Sequence, residues 1–525
     1  MMDDEKQVPP STAVEGGGNS ASEDEQQPTD MTREQSQVES LWPLEKISFA
    51  REAAMVFVVC MAQFCTQAAF AFPLLIIHTI GDSFSISNPA RLPWLVAGYS
   101  LTVGTFILIS GRLGDAFGYK RMLIIGFAWF GFWSIVAGLS AYSGFVLAVF
   151  ARVLQGIGPA ICLPNGLAIL GSVYPPGHRK AMVFAFFGAC APVGAVLGSV
   201  IASAISLSWW PWSYWALGLW LFVLLFLVIV AVPDLPREDN EAFAKGFTIA
   251  NLIEELDLPG AVTGVVALVL FNFSWNQAPI VGWATAETIV PLVLGLVLFG
   301  VFAYIESSVA PKPLLPFAAI NGDVGFVLGV VACGWATFGI WVLYLVQLLQ
   351  EVRHLSPLLS SVWLLPLTIS GAAAAIITGR LLGPWQVRPS VVMTMALAAF
   401  TIGITLIATV PPGQIYWAQI FVCTIIIPFG MDMSFPAATL ILSDAVKREH
   451  QGIGASLVNT VVNYSISLGV GFAGTVEANV AHGDKLTGYR GAMYFGIGIA
   501  GFGLVVCLLN LVREGVIERK KGSGK

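Results

Sequence analysis

The chain has 525 residues, of which 56% are hydrophobic and only 11% charged, and its mean hydropathy is +0.78. Soluble domains carry about 25% charged residues, so this composition excludes a water-soluble globular protein and describes a polytopic membrane protein. The formal charge of -6 is concentrated at one end: residues 1 to 40 hold ten acids against Lys6 and Arg33, which leaves the remainder slightly basic.

Residues 1–50 are polar, acidic and poor in aromatics over most of their length. Such a segment cannot bury enough apolar surface to offset its ordering entropy, and a disordered cytoplasmic tail is expected. No basic stretch followed by a short apolar core begins the chain, so no cleavable signal peptide is expected. From Ala53 onward, apolar runs of bilayer-spanning length recur near 53–80, 92–110, 122–142, 144–173, 181–205, 210–232, 258–278, 286–306, 324–349, 357–381, 389–410, 415–442, 452–480 and 491–512. The weakest is 258–278, where Asn272, Trp275, Asn276 and Gln277 dilute the run.

Charge placement supports fourteen spans. With the amino terminus inside, 21 of the 26 Lys and Arg fall on the cytoplasmic side, Arg91, Arg353, Lys485 and Arg490 fall outside, and Arg152 alone lies in a span. Both termini are therefore expected in the cytoplasm. The longest internal loop, 233–257, places Phe243, Phe247, Ile253 and Leu256 loosely on one helical face and reads as a helix resting on the inner leaflet or as a flexible tether. The seven cysteines all fall inside apolar runs and read as small core residues, with no disulfide framework and no metal site.

The chain repeats itself. GPAICLPNGLAIL, from Gly158, corresponds to GMDMSFPAATLIL, from Gly430, and His178 and His450 each follow the shared proline by fourteen residues. SGRLGDAFGYKR, from Ser110, corresponds to TGRLLGPWQVR, from Thr378. Eight spans separate the copies, and an even number preserves orientation. This predicts an all-α fold of two parallel six-helix bundles, 51–232 and 321–512, with a cytoplasmic loop at 233–257, an inserted transmembrane pair at 258–306 and a basic cytoplasmic tail at 513–525.

Two motifs carry a family resemblance. Gly111, Leu113, Asp115, Gly118, Lys120 and Arg121 match the G-x-L-x-D-x-x-G-x-K-R loop of major facilitator transporters, and Arg152, Gln155, Gly156 and Gly158 match their fourth-helix R-x-x-Q-G-x-G pattern. With fourteen spans, the chain resembles the drug:proton antiporter branch, most closely the fungal aminotriazole-resistance type. The resemblance implies a major facilitator fold that works by alternating access. It departs from the common loop pattern at Ala116 and Tyr119, and the second copy has Gly383 in place of the acid.

Chemistry can be assigned to four groups of residues. Arg152 lies about nine residues into its span, roughly 13 Å deep, and a charge at that depth must face protein or a water-filled cavity. Asp432, near the middle of its span, is the leading group for carrying a proton, and Arg152 and Asp432 are expected to face one hydrated cavity. Gln63, Gln67, Gln155, Asn165, Asn459 and Asn463 are candidate polar contacts for substrate, although helix-to-helix hydrogen bonding explains Gln155 and Asn165 equally well. Gly111, Gly114, Asp115, Gly118, Lys120 and Arg121 form a conformational latch, with three glycines for close approach and a turn and an acid for a breakable bond. Gly188, Pro192, Gly194 and Gly198 form a helix-packing motif in the fifth span; His78, His354 and His482 lie at span ends and read as interfacial.

Together these residues predict a secondary active transporter for proton-coupled efflux of a small organic or toxic compound. Transport of a small polar solute such as ammonium or borate is an alternative, because the first span has Gln63 and Gln67 where many such antiporters have an acid. A non-transporting nutrient sensor is a further alternative. No cofactor and no nucleic acid are expected, and no constellation for an enzyme or an ATP pump is present. The expected partners are a small-molecule substrate, protons and the lipid bilayer. The expected setting is the plasma membrane, with the vacuolar membrane as alternative, and the expected working unit is a monomer.

Overall fold

A computed structural model describes residues 48–175, 177–234, 253–254, 256–315, 322–445 and 451–522. Residues 1–47 of the tail expected to be disordered, and most of the 233–257 loop read as a surface helix or a flexible tether, lie outside these residues; the last residues of the expected tail, from Phe49, already belong to the first helix. Inside a bilayer, backbone amides and carbonyls find no water, so each apolar run closes its hydrogen bonds as a helix. Among the described residues, fourteen helices are long and apolar enough to span. They are α1 (Phe49–Leu75), α2 (Pro89–Phe117), α3 (Tyr119–Tyr142), α4 (Phe145–Val173), α5 (Met182–Ser206), α6 (Pro211–Ala231), α7 (Leu258–Val281), α8 (Ala286–Val309), α9 (Gly322–Val352), α10 (Pro357–Leu382), α11 (Pro389–Ala408), α12 (Gln419–Leu442), α13 (Ser456–Val480) and α14 (Lys485–Val516). The diluted run at 258–278 is a spanning helix, its asparagines turned to protein: Asn272 and Asn276 are buried.

The helices pair in a repeating pattern. In the first bundle α1 packs on α5, α2 on α4, and α3 on α4 and α6. In the second, the same pairs recur eight helices later: α9 on α13, α10 on α12, and α11 on α12 and α14. The two bundles meet along α2 with α13 and along α10 with α5. Exchanging the bundles exchanges these two seams, so the duplication read in the sequence is also present in the contacts. The inserted α7 packs on its partner α8 and then on both α2 and α13, lying along one of the two seams.

Some ends differ from expectation. The first apolar run, read as 53–80, stops as one helix at Leu75; after Ile76 the chain starts a short helix, Ile77–Ser83. The last helix continues to Gly522, so the expected separate tail at 513–525 is largely a continuation of α14. Polar bonds hold its first extra turn: Arg513 reaches Asp323 at 3.4 Å, and Glu514 accepts from Ser390 at 2.7 Å and Asn510 at 2.8 Å.

Candidate functional site

Arg152 sits in the middle of the first bundle with only 1% of its surface exposed. Its Nε donates to Leu95 O at 2.9 Å, one terminal nitrogen donates to Ala69 O at 2.8 Å, and the other donates to Gln155 Oε1. The guanidinium lies over the Tyr99 ring at 4.4 Å and near the Tyr214 ring at 5.9 Å. The expected exposure of this group to a hydrated cavity is therefore corrected: the charge is capped by two backbone carbonyls, an amide and two aromatic faces. Carbonyls on α1 and α2, both outside α4, supply the caps, so the arginine ties three helices together.

For Gln155 and Asn165 the structure shows the second of their two readings, hydrogen bonding between helices. Gln155 is fully buried, accepts from Arg152 and donates to Ser134 Oγ at 2.6 Å. Asn165 donates to Ile161 O at 2.7 Å and to Ser110 O at 3.2 Å. Its Oδ1 would lie 1.9 Å from a Cβ on Gly114, which explains the glycine in physical terms: α2 and α4 touch there. Both side chains are occupied in joining helices. Gln63 and Gln67 differ, being half-buried on α1. Asn463 bonds within its own helix to Asn459 O at 3.0 Å, beside the α2–α13 seam.

Asp432 lies where the bundles meet. Its Oδ2 is buried and accepts no hydrogen bond from any described residue. A Cβ on Gly371 of α10 would lie 3.3 Å from that oxygen and 2.9 Å from Pro192 Cβ of α5. The expected packing motif and the expected proton carrier thus converge at the second seam, on either side of Gly371. Gly194 and Gly198 of the motif pack on α1, where added Cβ atoms would lie 2.4 Å from Phe64 O and 2.5 Å from Ala68 Cβ. Gly188 has nothing within 4 Å of such a Cβ, and its expected packing role is corrected.

In the latch loop, Asp115 is exposed and accepts from Tyr119 OH at 2.7 Å, so the tyrosine that departs from the family pattern becomes the acid's partner. Gly118 has φ +95°, a turn that only glycine adopts freely, and nothing crowds it. Lys120 pairs with Asp234 at 3.2 Å, and Arg121 is exposed. Arg112 grips the segment after α8, donating to Lys312 O at 2.8 Å and to Pro313 O. That segment is held as well by Glu306, which accepts from Leu315 N at 2.9 Å, and by Asp257, which accepts from Leu314 N at 3.3 Å. The latch loop is thereby tied to the base of the inserted pair.

Three features were not read from the sequence. Phe70 of α1 stacks on Phe338 of α9 at 6.2 Å, and Phe338 meets Trp335 at 5.4 Å, whose Nε1 donates to Ser434 Oγ at 3.1 Å. This aromatic row runs from one bundle to the helix of Asp432; its signal was the three-residue spacing of Trp335, Phe338 and Trp341. Near the inner end of α1, Glu52 pairs with Arg179 at 2.6 Å and accepts from Tyr174 OH at 2.6 Å. Burial and the Glu52 carboxylate push the Tyr174 hydroxyl upward, which keeps it a donor. Asn272 and Asn276, noted in the sequence for diluting their span, form a buried junction: Ser467 Oγ lies 2.9 Å from both Asn272 Oδ1 and Ala97 O, and Asn276 donates to Ser467 O at 3.3 Å.

The family model of the Major Facilitator Superfamily matches residues 57–470. The chain belongs to the Major Facilitator Superfamily. Its similarity to the "Low affinity ammonium transporter" of Saccharomyces cerevisiae is 51% identity over 458 residues, 87% of each chain. It is 40% identical over 488 residues to "Efflux pump terG" of Aspergillus terreus, covering 92% of this chain and 91% of that one. The "Aminotriazole resistance protein" of Saccharomyces cerevisiae is 37% identical over 479 residues, 90% of this chain and 86% of that one. Among solved structures, a peptide transporter complexed with alafosfalin superimposes with TM-score 0.65 at 16% identity, covering 92% of this chain and 98% of that one. The fold and family expected from the two motifs are those found, and this major facilitator protein is an integral, multi-pass membrane transporter.

Proposed function

We propose that this protein exports small organic compounds by alternating access of its two bundles, in exchange for protons carried on Asp432. The observation that carries the reading is the lone Asp432 Oδ2 at the α5–α10 seam, buried without a partner among the described residues. A carboxylate there needs water or a cation, whereas a protonated carboxyl removes the charge from the seam, so loading and unloading alter how the bundles close. The aromatic row from Phe70 to Trp335, which reaches Ser434 on the same helix as Asp432, offers organic cargo an apolar wall. Relatives named as an efflux pump and as a resistance protein support the direction and the substrate class. We place the working protein in the plasma membrane as a monomer, with both termini in the cytoplasm.

The test is gradient-driven accumulation of a lipophilic dye in proteoliposomes. Asp432→Asn should abolish pH-driven accumulation, a loss of tenfold or more, while dye binding persists. Unchanged gradient-driven flux in this variant would refute the role of Asp432.

Ammonium transport is a second reading, favoured by the 51% identity to a relative named for that activity and by Gln63 and Gln67 on α1 in place of an acid. Uptake of labelled methylammonium by a yeast strain lacking its own ammonium transporters separates the two. Uptake without dye export supports this second reading, and dye export without uptake supports the first.

A further inference from the structure

At the end of the molecule predicted to face outward, the bundles are joined by a charged contact that plays no part in the proposal for Asp432. His78 lies on the short helix Ile77–Ser83 that follows α1. Its Nδ1 is 3.2 Å from Glu351 Oε1, and its Nε2 is 2.6 Å from Gln347 Oε1; both partners belong to α9 of the other bundle. The second Glu351 oxygen meets Lys485 Nζ, at the start of α14, at 2.5 Å. Beside them Gln350 Nε2 donates to Leu75 O at 2.7 Å, so the end of α1 is held to α9 by backbone as well as side chain. Other ionisable groups lie near the contact. His354, just beyond α9, and Tyr489 of α14 neighbour Glu351, Glu477 of α13 neighbours Tyr489 and accepts from Tyr344 OH at 2.7 Å, and Asp82, on the histidine's own helix, is exposed.

A doubly protonated ring donates from both nitrogens and meets the two oxygens as they stand, Glu351 Oε1 and Gln347 Oε1. A neutral ring keeps at most one of these bonds unless the Gln347 amide turns over, and it loses the charge pairing with Glu351. Glu351, already held by Lys485, supplies the opposing charge. The His78 side chain is 20% exposed and that of Glu351 25%, so the pair is shielded enough to matter and open enough to exchange protons with the outer solution.

We infer that His78 and Glu351 form a proton-binding site at the outer gate, filled from the external side, whose occupied form holds the outer seam shut. Histidine changes its charge between about pH 5 and 8. Acid outside therefore fills the site and closes the outer end; when the proton leaves, the charge pairing with Glu351 is lost and the outer end is released. The site rests on the alternating-access reading but not on the identity of the cargo or on Asp432.

The test measures distance rather than flux. Spin labels at Ser87→Cys and Gly413→Cys, exposed loop positions of the first and second bundles, report the width of the outer end by double electron resonance in the full-length protein in lipid nanodiscs. The seven native cysteines are buried or partly buried. Between about pH 5 and 8 the wild type should shift from a short to a long distance population. His78→Gln should show the long population at every pH, and His78→Arg, permanently charged, the short one. A wild-type distribution that does not move, or His78→Gln titrating as the wild type does, overturns the proposal. If His78→Gln does not fold, His78→Arg still decides: a long population at high pH overturns it. A failed dye-export assay leaves this result standing, and an outer end whose width does not respond to pH leaves the export reading standing.

Discussion

Arg152 shows how a residue can be found in a sequence before its surroundings can. Its isolation among apolar neighbours made it conspicuous, but its three hydrogen-bond partners come from α1, α2 and α4, and the rotation of those helices about their axes is set by packing. Lysine at this position keeps the charge but concentrates its donors on one atom, and it cannot reach Leu95 O, Ala69 O and Gln155 together. Arg152→Lys should therefore leave at least one buried acceptor unpaired, at a cost of about 1–3 kcal/mol. Thermal unfolding of the purified protein in detergent checks this, and an unchanged melting temperature would contradict the capped arrangement. His78 illustrates the opposite case. At a span end it reads as interfacial, and its partner Gln347 is 269 positions away, so nothing local identifies the contact.

At the scale of helices, the sequence located all fourteen spans found among the described residues, because the need to close backbone bonds in lipid is local and severe. It misplaced the end of α1, where the apolar run continues through a break at Ile76 that hydropathy does not register. Seams between helices were harder to read, since a glycine shows only that space is scarce, not which neighbour takes it. Gly104 on α2 is such a position: an added Cβ would lie 2.8 Å from Tyr464 N and 3.2 Å from Thr460 O of α13, both backbone atoms that cannot rotate away. Gly104→Val should force the seam apart, at about 1–3 kcal/mol of overpacking, and lower flux at least tenfold while each bundle still folds. Flux normalised to surface amount by biotinylation is the measurement; normal flux would mean that α2 and α13 need not touch during transport.

For the molecule as a whole, charge distribution and the repeat were legible because both are written along the chain, and the eight-helix offset between copies reappears in the helix pairs of the two bundles. The charge pattern carries a topological prediction. An epitope on the carboxyl terminus should remain hidden from antibody in intact cells and appear on permeabilisation, whereas one inserted after Gly413 should be reached from outside. The reverse result would turn the whole molecule over and place His78 and Glu351 in the cytoplasm.

Among the described residues, one of the two equivalent joints carries an insert: α7 runs along α2 and α13, and no described spanning helix lies in the same way along α5 and α10. Toward the surrounding lipid the molecule is thus left-right unequal. A greasy solute dissolved among acyl chains would meet the inserted pair at one flank and not at the other, and Asp432 lies at the other.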